Sequence, residues 1–198
     1  MNNLDETLKY YETHADAFAD STAGVDMEPI RTRFLQHLPA GGRILDLGCG
    51  SGRDTKAFLE MGYQVDAVDG SAELCERASK LTGIPVKQML FQELDAVSAY
   101  DGIWACASIL HLPKPELQEV LGRIAAALKN DGVLYTSFKY GTFEGIRSGR
   151  HFTDFTEETL EAFWRGVPHL QIIDSWITQD VRPGREDGQW INLVARRS

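Results

Sequence analysis

Cysteine is scarce: three in 198 residues, at positions 49, 75 and 106, far apart, odd in number and never in a CxxC pair. This excludes a paired disulfide framework and a structural zinc knot, and predicts a reducing, cytoplasmic compartment with no metal site. Positive charge is short as well. Lysine and arginine number 20 against 29 aspartates and glutamates, a formal net charge of −9 that disfavours nonspecific binding to nucleic acid or to an anionic membrane surface. No long apolar run is present. The most apolar stretch, Ile103 to Leu112, is broken by Ser108 and His111 and predicts no membrane span. The opening MNNLDETLKYYETHADAF has neither the basic flank nor the apolar stretch of a secretion signal. Repeats and low-complexity tracts are missing.

What remains is an ordinary globular composition, 43% hydrophobic and 25% charged, on a chain long enough for a sizeable core. The length predicts one domain over residues 1–198, with 1–40 as a helical cap and 41–198 as the core. In the cap, Leu4, Leu8, Tyr11, Ala15 and Phe18 form one apolar stripe at helical spacing. A second helix carries Ile30, Phe34, Leu35 and Leu38 before Pro39-Ala40-Gly41-Gly42 stops it. From Arg43 short apolar strands alternate with helical patterns, as in repeated β-α units on a parallel sheet. Strands are predicted at Ile44–Leu47, Val65–Val68, Val86–Leu90, Ile103–Ala107 and Val133–Phe138, and extended segments at Leu170–Thr178 and Trp190–Ala195. The helices between them run through Ala57, Phe58 and Met61; through Leu74, Ala78 and Leu81; and from Pro115 to Asn130, where Asn130-Asp131-Gly132 is the expected stop. A last helix, capped by Thr156, carries Leu160, Phe163 and Trp164.

The segment Ile44-Leu45-Asp46-Leu47-Gly48-Cys49-Gly50-Ser51-Gly52 runs from an apolar strand through three alternating glycines into a helix. Such a loop lets the backbone approach a ligand closely at the carboxyl edge of a parallel sheet. Asp69 ends the next strand 21 positions after Gly48, close to the ~20-residue offset at which an acid accepts from ribose hydroxyls. The loop reads GxGxG. The third glycine of a dinucleotide loop would fall where Arg53 stands, and Asp46 at the loop's base suits a cationic ligand group better than a pyrophosphate.

These residues, with the acid of VDAVDGS and the segment YDGIWACASILHL, resemble a class I S-adenosylmethionine-dependent methyltransferase over roughly residues 40 to 140. Among these, GCGSGRD, WACASILHL, GRHFTDFTEETL and DVRPGRE look like small bacterial methyltransferases labelled tellurite-resistance-related. The resemblance implies a Rossmann-like α/β fold of seven strands, mostly parallel, with an antiparallel C-terminal hairpin and an N-terminal helical cap. The implied cofactor is S-adenosyl-L-methionine. Gly48, Cys49, Gly50 and Gly52 would surround its methionine portion, Asp46 would lie near the amino group, Asp69 would hold the ribose, and Gly70 and Ser71 would follow the sugar. Phe91 and Gln92 occupy the adenine-contacting place, although the acid common there is missing, and Ala105 and Cys106, in the segment ending the fourth strand, would also contact the cofactor. Arg53 is within reach of the cofactor carboxylate, as is Tyr11 through its hydroxyl; the rings of Tyr10 and Tyr11 could also face the sulfonium.

A sulfonium methyl is already electrophilic, so the protein mainly aligns the acceptor and excludes water. His111, just past the fourth strand, is the predicted base for an acceptor that must lose a proton. The cysteines have no neighbouring histidine and are read as packing residues. Lys139, Tyr140, Arg147, Arg150 and His151 cluster after the fifth strand, and Arg182 and Arg185 in the last turn; facing the site, they would select a small anionic or oxyanion-bearing acceptor. The competing readings are a tRNA or other nucleic-acid methyltransferase, a noncatalytic cofactor-binding protein, and a nicotinamide oxidoreductase.

Overall fold

The computed structural model describes residues 3–16, 19, 24–180 and 188–198, with side chains from Glu6 onward. Helix α1 (Asn3–Thr13) and helix α2 (Glu28–Leu35) precede strand β1 (Arg43–Leu47). Then come α3 (Arg53–Glu60), β2 (Gln64–Asp69), α4 (Ala72–Thr82), β3 (Lys87–Gln88), β4 (Tyr100–Ala105), α5 (Lys114–Ala127) and β5 (Leu128–Lys139). A hairpin β6 (Glu144–Arg147) and β7 (Arg150–Thr153), helix α6 (Glu157–Trp164) and strands β8 (Leu170–Gln179) and β9 (Gln189–Arg197) complete the chain.

The main sheet has seven strands in the order β3-β2-β1-β4-β5-β9-β8. Strands β1 to β5 pair in parallel, and β9 runs antiparallel to both β5 and β8. The chain steps outward from β1 to β3 and returns to β4 on the other side of β1, so the order reverses between β1 and β4. A crevice opens at such a point, outside the strands' carboxyl ends. Alternation along β1 divides the core. Leu45 and Leu47 face a cluster with Leu117, Val120 and Ile124 of α5 and Leu160 of α6, whereas Ile44 faces Phe34 of α2, Phe58 of α3 and Trp104. Trp104 is fully buried, stacked 4.1 Å from the Tyr135 ring.

Two expectations need correction, and one element is new. The third strand is only Lys87–Gln88, because the Glu93 carboxylate accepts from Leu90 N–H (2.7 Å) and draws the chain into a 3₁₀ turn at Phe91–Glu93. Helix α5 ends at Ala127 and not at Asn130-Asp131-Gly132. That triplet lies inside β5, where Asp131 takes φ +63° and a Cβ on Gly132 would meet three carbonyl oxygens at 2.9–3.2 Å; the register to β4 shifts there. The β6–β7 hairpin was not anticipated. Its signal is Ser148-Gly149, a two-residue turn with both φ positive (+52° and +75°).

Candidate active site

The glycine loop grows out of β1. Gly48 and Cys49 both donate to the Val68 carbonyl (2.9 and 3.0 Å), fixing the loop against the end of β2. Gly48 takes φ +81°, and a Cβ there would stand 2.5 Å from Ser108 Cβ, so only glycine lets the loop pass the segment after β4. Ser108 returns the contact by donating its hydroxyl to the Leu47 carbonyl at 2.7 Å. Asp69 links the two strand ends. Its carboxylate accepts from the Gly50 and Ser71 N–H groups, both at 2.9 Å. Burial raises its pKa, and the backbone N–H groups of Ser71, Gly50 and Gly70 partly offset that.

Beneath the loop lies a charged cluster. Asp46 is 2% exposed and accepts from the Thr55 hydroxyl at 2.5 Å; burial, and then the nearby Asp54 carboxylate, push its pKa up to about 7. Asp54 accepts from Arg53, from Arg31 and from the Trp104 indole N–H (2.7, 2.8 and 3.1 Å). Its own burial opposes ionisation, but the two guanidiniums hold its pKa below the usual value.

A cavity of about 350 Å³ runs along this loop at the switch point. Asp69, Gly70, Leu74, Met89, Leu90 and Phe91 line one end, giving an acid beside apolar walls. At the other end stand Met27 and Ile30, Tyr135, Asn192 and Trp190, with Lys139 and Asp180. Between the ends, Tyr11, His111 and Arg150 converge. The Tyr11 hydroxyl is 2.8 Å from His111 Nε2, His111 Nδ1 is 2.6 Å from the His151 carbonyl, and Arg150 Nη1 donates to the Tyr11 oxygen at 3.3 Å. Burial drives the His111 pKa down to about 3, so the ring is neutral. Helix α1 is held over the cavity by Tyr11, by Thr7, which accepts from His151 N–H at 3.1 Å, and by Leu8 packed on Gly70.

Of the residues singled out from sequence, Tyr11, Asp46, Gly48, Cys49, Gly50, Arg53, Asp69, Gly70, Phe91, Cys106, His111, Lys139 and Arg150 line the cavity. The others stand off its wall for local reasons. Gly52, at φ +89°, leaves room for Ala78 and Thr82 of α4. Ser71 is the N-cap of α4, Gln92 donates to Glu116 (3.0 Å), and Ala105 is buried within the sheet. Tyr140 packs against the core beside Phe155, and His151 is 3% exposed and contributes its backbone. The cations are also claimed: Lys139 pairs with buried Asp180 at 2.7 Å, and both Arg147 terminal nitrogens bond Asp154 at 3.1 Å. Arg182 and Arg185 lie outside the described residues. Burial pushes the thiols of Cys49 and Cys106 up, the latter to about 12, consistent with packing roles. Sequence reasoning missed the far end of the cavity, Trp190 and Asn192 with Met27 and Ile30, because those residues read as plain strand and helix core.

A sheet of this order, with a glycine loop and a facing acid at its reversal point, defines a nucleoside-binding α/β enzyme. Residues 44–132 match the methyltransferase domain family. The chain is 30% identical over 172 residues to a ubiquinone biosynthesis O-methyltransferase of Xanthomonas axonopodis pv. citri (strain 306), spanning 75% of this chain and 71% of that protein. It is also 31% identical over 120 residues to a putative methyltransferase of Bacillus subtilis (strain 168), spanning 54% of this chain and 49% of that one. Its structure superposes on Burkholderia thailandensis 1,6-didemethyltoxoflavin-N1-methyltransferase with bound S-adenosylhomocysteine, at 27% identity and TM-score 0.77 over 99% of this chain and 87% of that one. The chain belongs to the class I S-adenosylmethionine-dependent methyltransferases; it is a methyltransferase, and S-adenosyl-L-methionine is its cofactor.

Proposed function

We propose that residues 1–198 form one methyltransferase domain, capped by residues 1–40, that methylates a small-molecule acceptor carrying an anionic or oxyanion group. The cavity's own groups suit the cofactor. Asp69 offers a carboxylate to a ribose diol beside the apolar wall of Leu74, Met89 and Phe91, the loop backbone from Gly48 to Gly50 leaves space for the amino acid portion, and Asp46 gives its ammonium a buried partner. When bound, S-adenosyl-L-methionine supplies an electrophilic methyl group. The chain contributes alignment, exclusion of water and a place for the acceptor's proton at His111.

The observation that carries the acceptor reading is Arg150. It lines the cavity, its Nε is buried without a hydrogen-bond partner, and among the described residues it forms no ion pair, whereas Lys139 and Arg147 are neutralised by Asp180 and Asp154. A buried guanidinium nitrogen without a partner is costly, and an incoming carboxylate or similar oxyanion would satisfy it. The similarity to a methyltransferase of ubiquinone biosynthesis and to one with bound 1,6-didemethyltoxoflavin supports a metabolite over a macromolecule. So does the net charge of −9. On its motifs we read the chain as tellurite-resistance-related in type and, from three free cysteines, as cytoplasmic.

The test is methyl transfer from labelled S-adenosylmethionine to matched acceptor pairs, each an anionic compound and its neutral amide or ester. Preference for the anionic members, lost in Arg150→Ala and kept in part by Arg150→Lys, supports the reading. Equal use of both members by the wild type, or label passing to tRNA, contradicts it.

A further inference from the structure

The hydrogen bonds around His111 have a fixed direction. The His151 carbonyl can only accept, so His111 Nδ1, 2.6 Å away, carries the ring's proton. Nε2 of the neutral ring is therefore a lone pair, and the Tyr11 hydroxyl at 2.8 Å must donate to it. Tyr11 has one proton and this bond uses it. Toward Arg150, which donates at 3.3 Å, and toward anything else in the cavity, the Tyr11 oxygen only accepts. It cannot at the same time donate to a cofactor carboxylate, the role its position on α1 implied.

We infer that Tyr11 is a catalytic residue that takes the methyl acceptor's proton and relays it to His111, so that the site admits acceptors presenting an O–H or N–H group to the Tyr11 oxygen. The inference rests on the small-molecule methyltransferase reading above. The proton balance is complete. With or after methyl transfer to X, the X–H bond breaks and its electron pair returns to X, neutralising the charge that X gained by bonding the methyl group; that proton bonds to the Tyr11 oxygen as Tyr11's own proton passes to His111 Nε2. The resulting imidazolium keeps Nδ1–H on the His151 carbonyl and gives up its proton to water once product has left.

Geometry and basicity set the course of this flow. Arg150 sits over the rings of Tyr10 and Tyr11 (4.3 and 5.7 Å) and donates to the Tyr11 oxygen, which orients that oxygen's remaining lone pair; its positive charge also lowers the basicity of His111, so that the imidazolium readily gives up its proton. Burial makes His111 a weak base, unable to ionise an alcohol in advance but able to take a proton from an acceptor made strongly acidic by methylation. The relay therefore acts late, with or after the transfer. Besides covering the cavity with its apolar face, helix α1 contributes an oxygen whose orientation is set by a buried histidine on the opposite side.

The test uses ¹⁵N-histidine-labelled protein with S-adenosylhomocysteine, compared with Tyr11→Phe, His111→Gln and the double variant. His111 is expected to be protonated at Nδ1 and unprotonated at Nε2 between about pH 5 and pH 8. Tyr11→Phe should move the Nε2 resonance alone and leave S-adenosylhomocysteine affinity within about twofold. Methyl label from S-adenosylmethionine into a filtered bacterial metabolite extract should fall by about 10²-fold or more in each single variant and no further in the double, because the two residues act as one path. Protonation found at Nε2, a loss of affinity of about tenfold in Tyr11→Phe, or additive losses in the double variant would overturn the relay. A wild type that binds no S-adenosylhomocysteine or transfers no label overturns the underlying methyltransferase reading instead, and the relay with it.

Discussion

At the scale of single residues, the site depends on a few atoms that have no substitute. Gly48 holds a left-handed conformation with Ser108 Cβ only 2.5 Å from where its own Cβ would stand. Gly48→Ala should therefore displace the loop and remove S-adenosylhomocysteine binding, measured calorimetrically, even in protein whose circular dichroism is unchanged. Asp69 is engaged from below by Gly50 and Ser71 N–H groups and faces the cavity. A hydrogen bond to a charged group contributes ~1.5–3 kcal/mol, so Asp69→Asn should weaken cofactor binding by about tenfold or more. An affinity equal to that of wild type would remove Asp69 from the site.

At the scale of elements, what was legible in the sequence was whatever rests on local stereochemistry. The strand–glycine–helix turn, the acid closing β2, and the cap at Thr156 are each set by a backbone that only certain residues permit or by a side chain bonding its own neighbours. Thr156 accepts from Thr159 N–H at 3.3 Å, and its own N–H donates to the Thr159 hydroxyl at 2.8 Å. Thr156→Ala should cost about 1 kcal/mol in urea unfolding with no change in cofactor affinity. Illegible were the pairings made at a distance. Asn130-Asp131-Gly132 has the composition of a helix stop, yet pairing with β4 absorbs it as an irregularity in a strand. The cluster of basic residues after β5 was visible, but its partners Asp154 and Asp180 were not, since one lies on the far side of a hairpin and the other at the end of β8. Gly52 and Ser71 also carry structural tasks that the motif does not display: Gly52 leaves room for Ala78 and Thr82, and the Ser71 hydroxyl accepts from Leu74 N–H at the start of α4.

At the scale of the whole molecule, two buried titratable groups give stability opposite dependences on pH. Asp46 has a folded pKa of about 7, above its unfolded value, so its contribution is full at pH below the unfolded pKa and is lost as pH rises toward 7. Asp46→Asn should flatten that loss in denaturant unfolding measured across the window, so that its stability relative to the ligand-free wild type is more favourable at neutral pH than in acid. His111, with a folded pKa of about 3, contributes above pH 6.5 and loses that contribution as pH falls toward 3. His111→Gln should make the protein less sensitive to acid between those limits. An unchanged pH profile in either variant would mean that the group titrates normally in the folded state.

The most direct measurement is calorimetric titration of the whole chain with S-adenosylhomocysteine, performed in parallel on Asp69→Ala. Saturable one-to-one binding by the wild type, abolished by the substitution, is the result the cavity at the β1–β4 reversal point predicts. No heat with the wild type, or the same isotherm for both proteins, would contradict it.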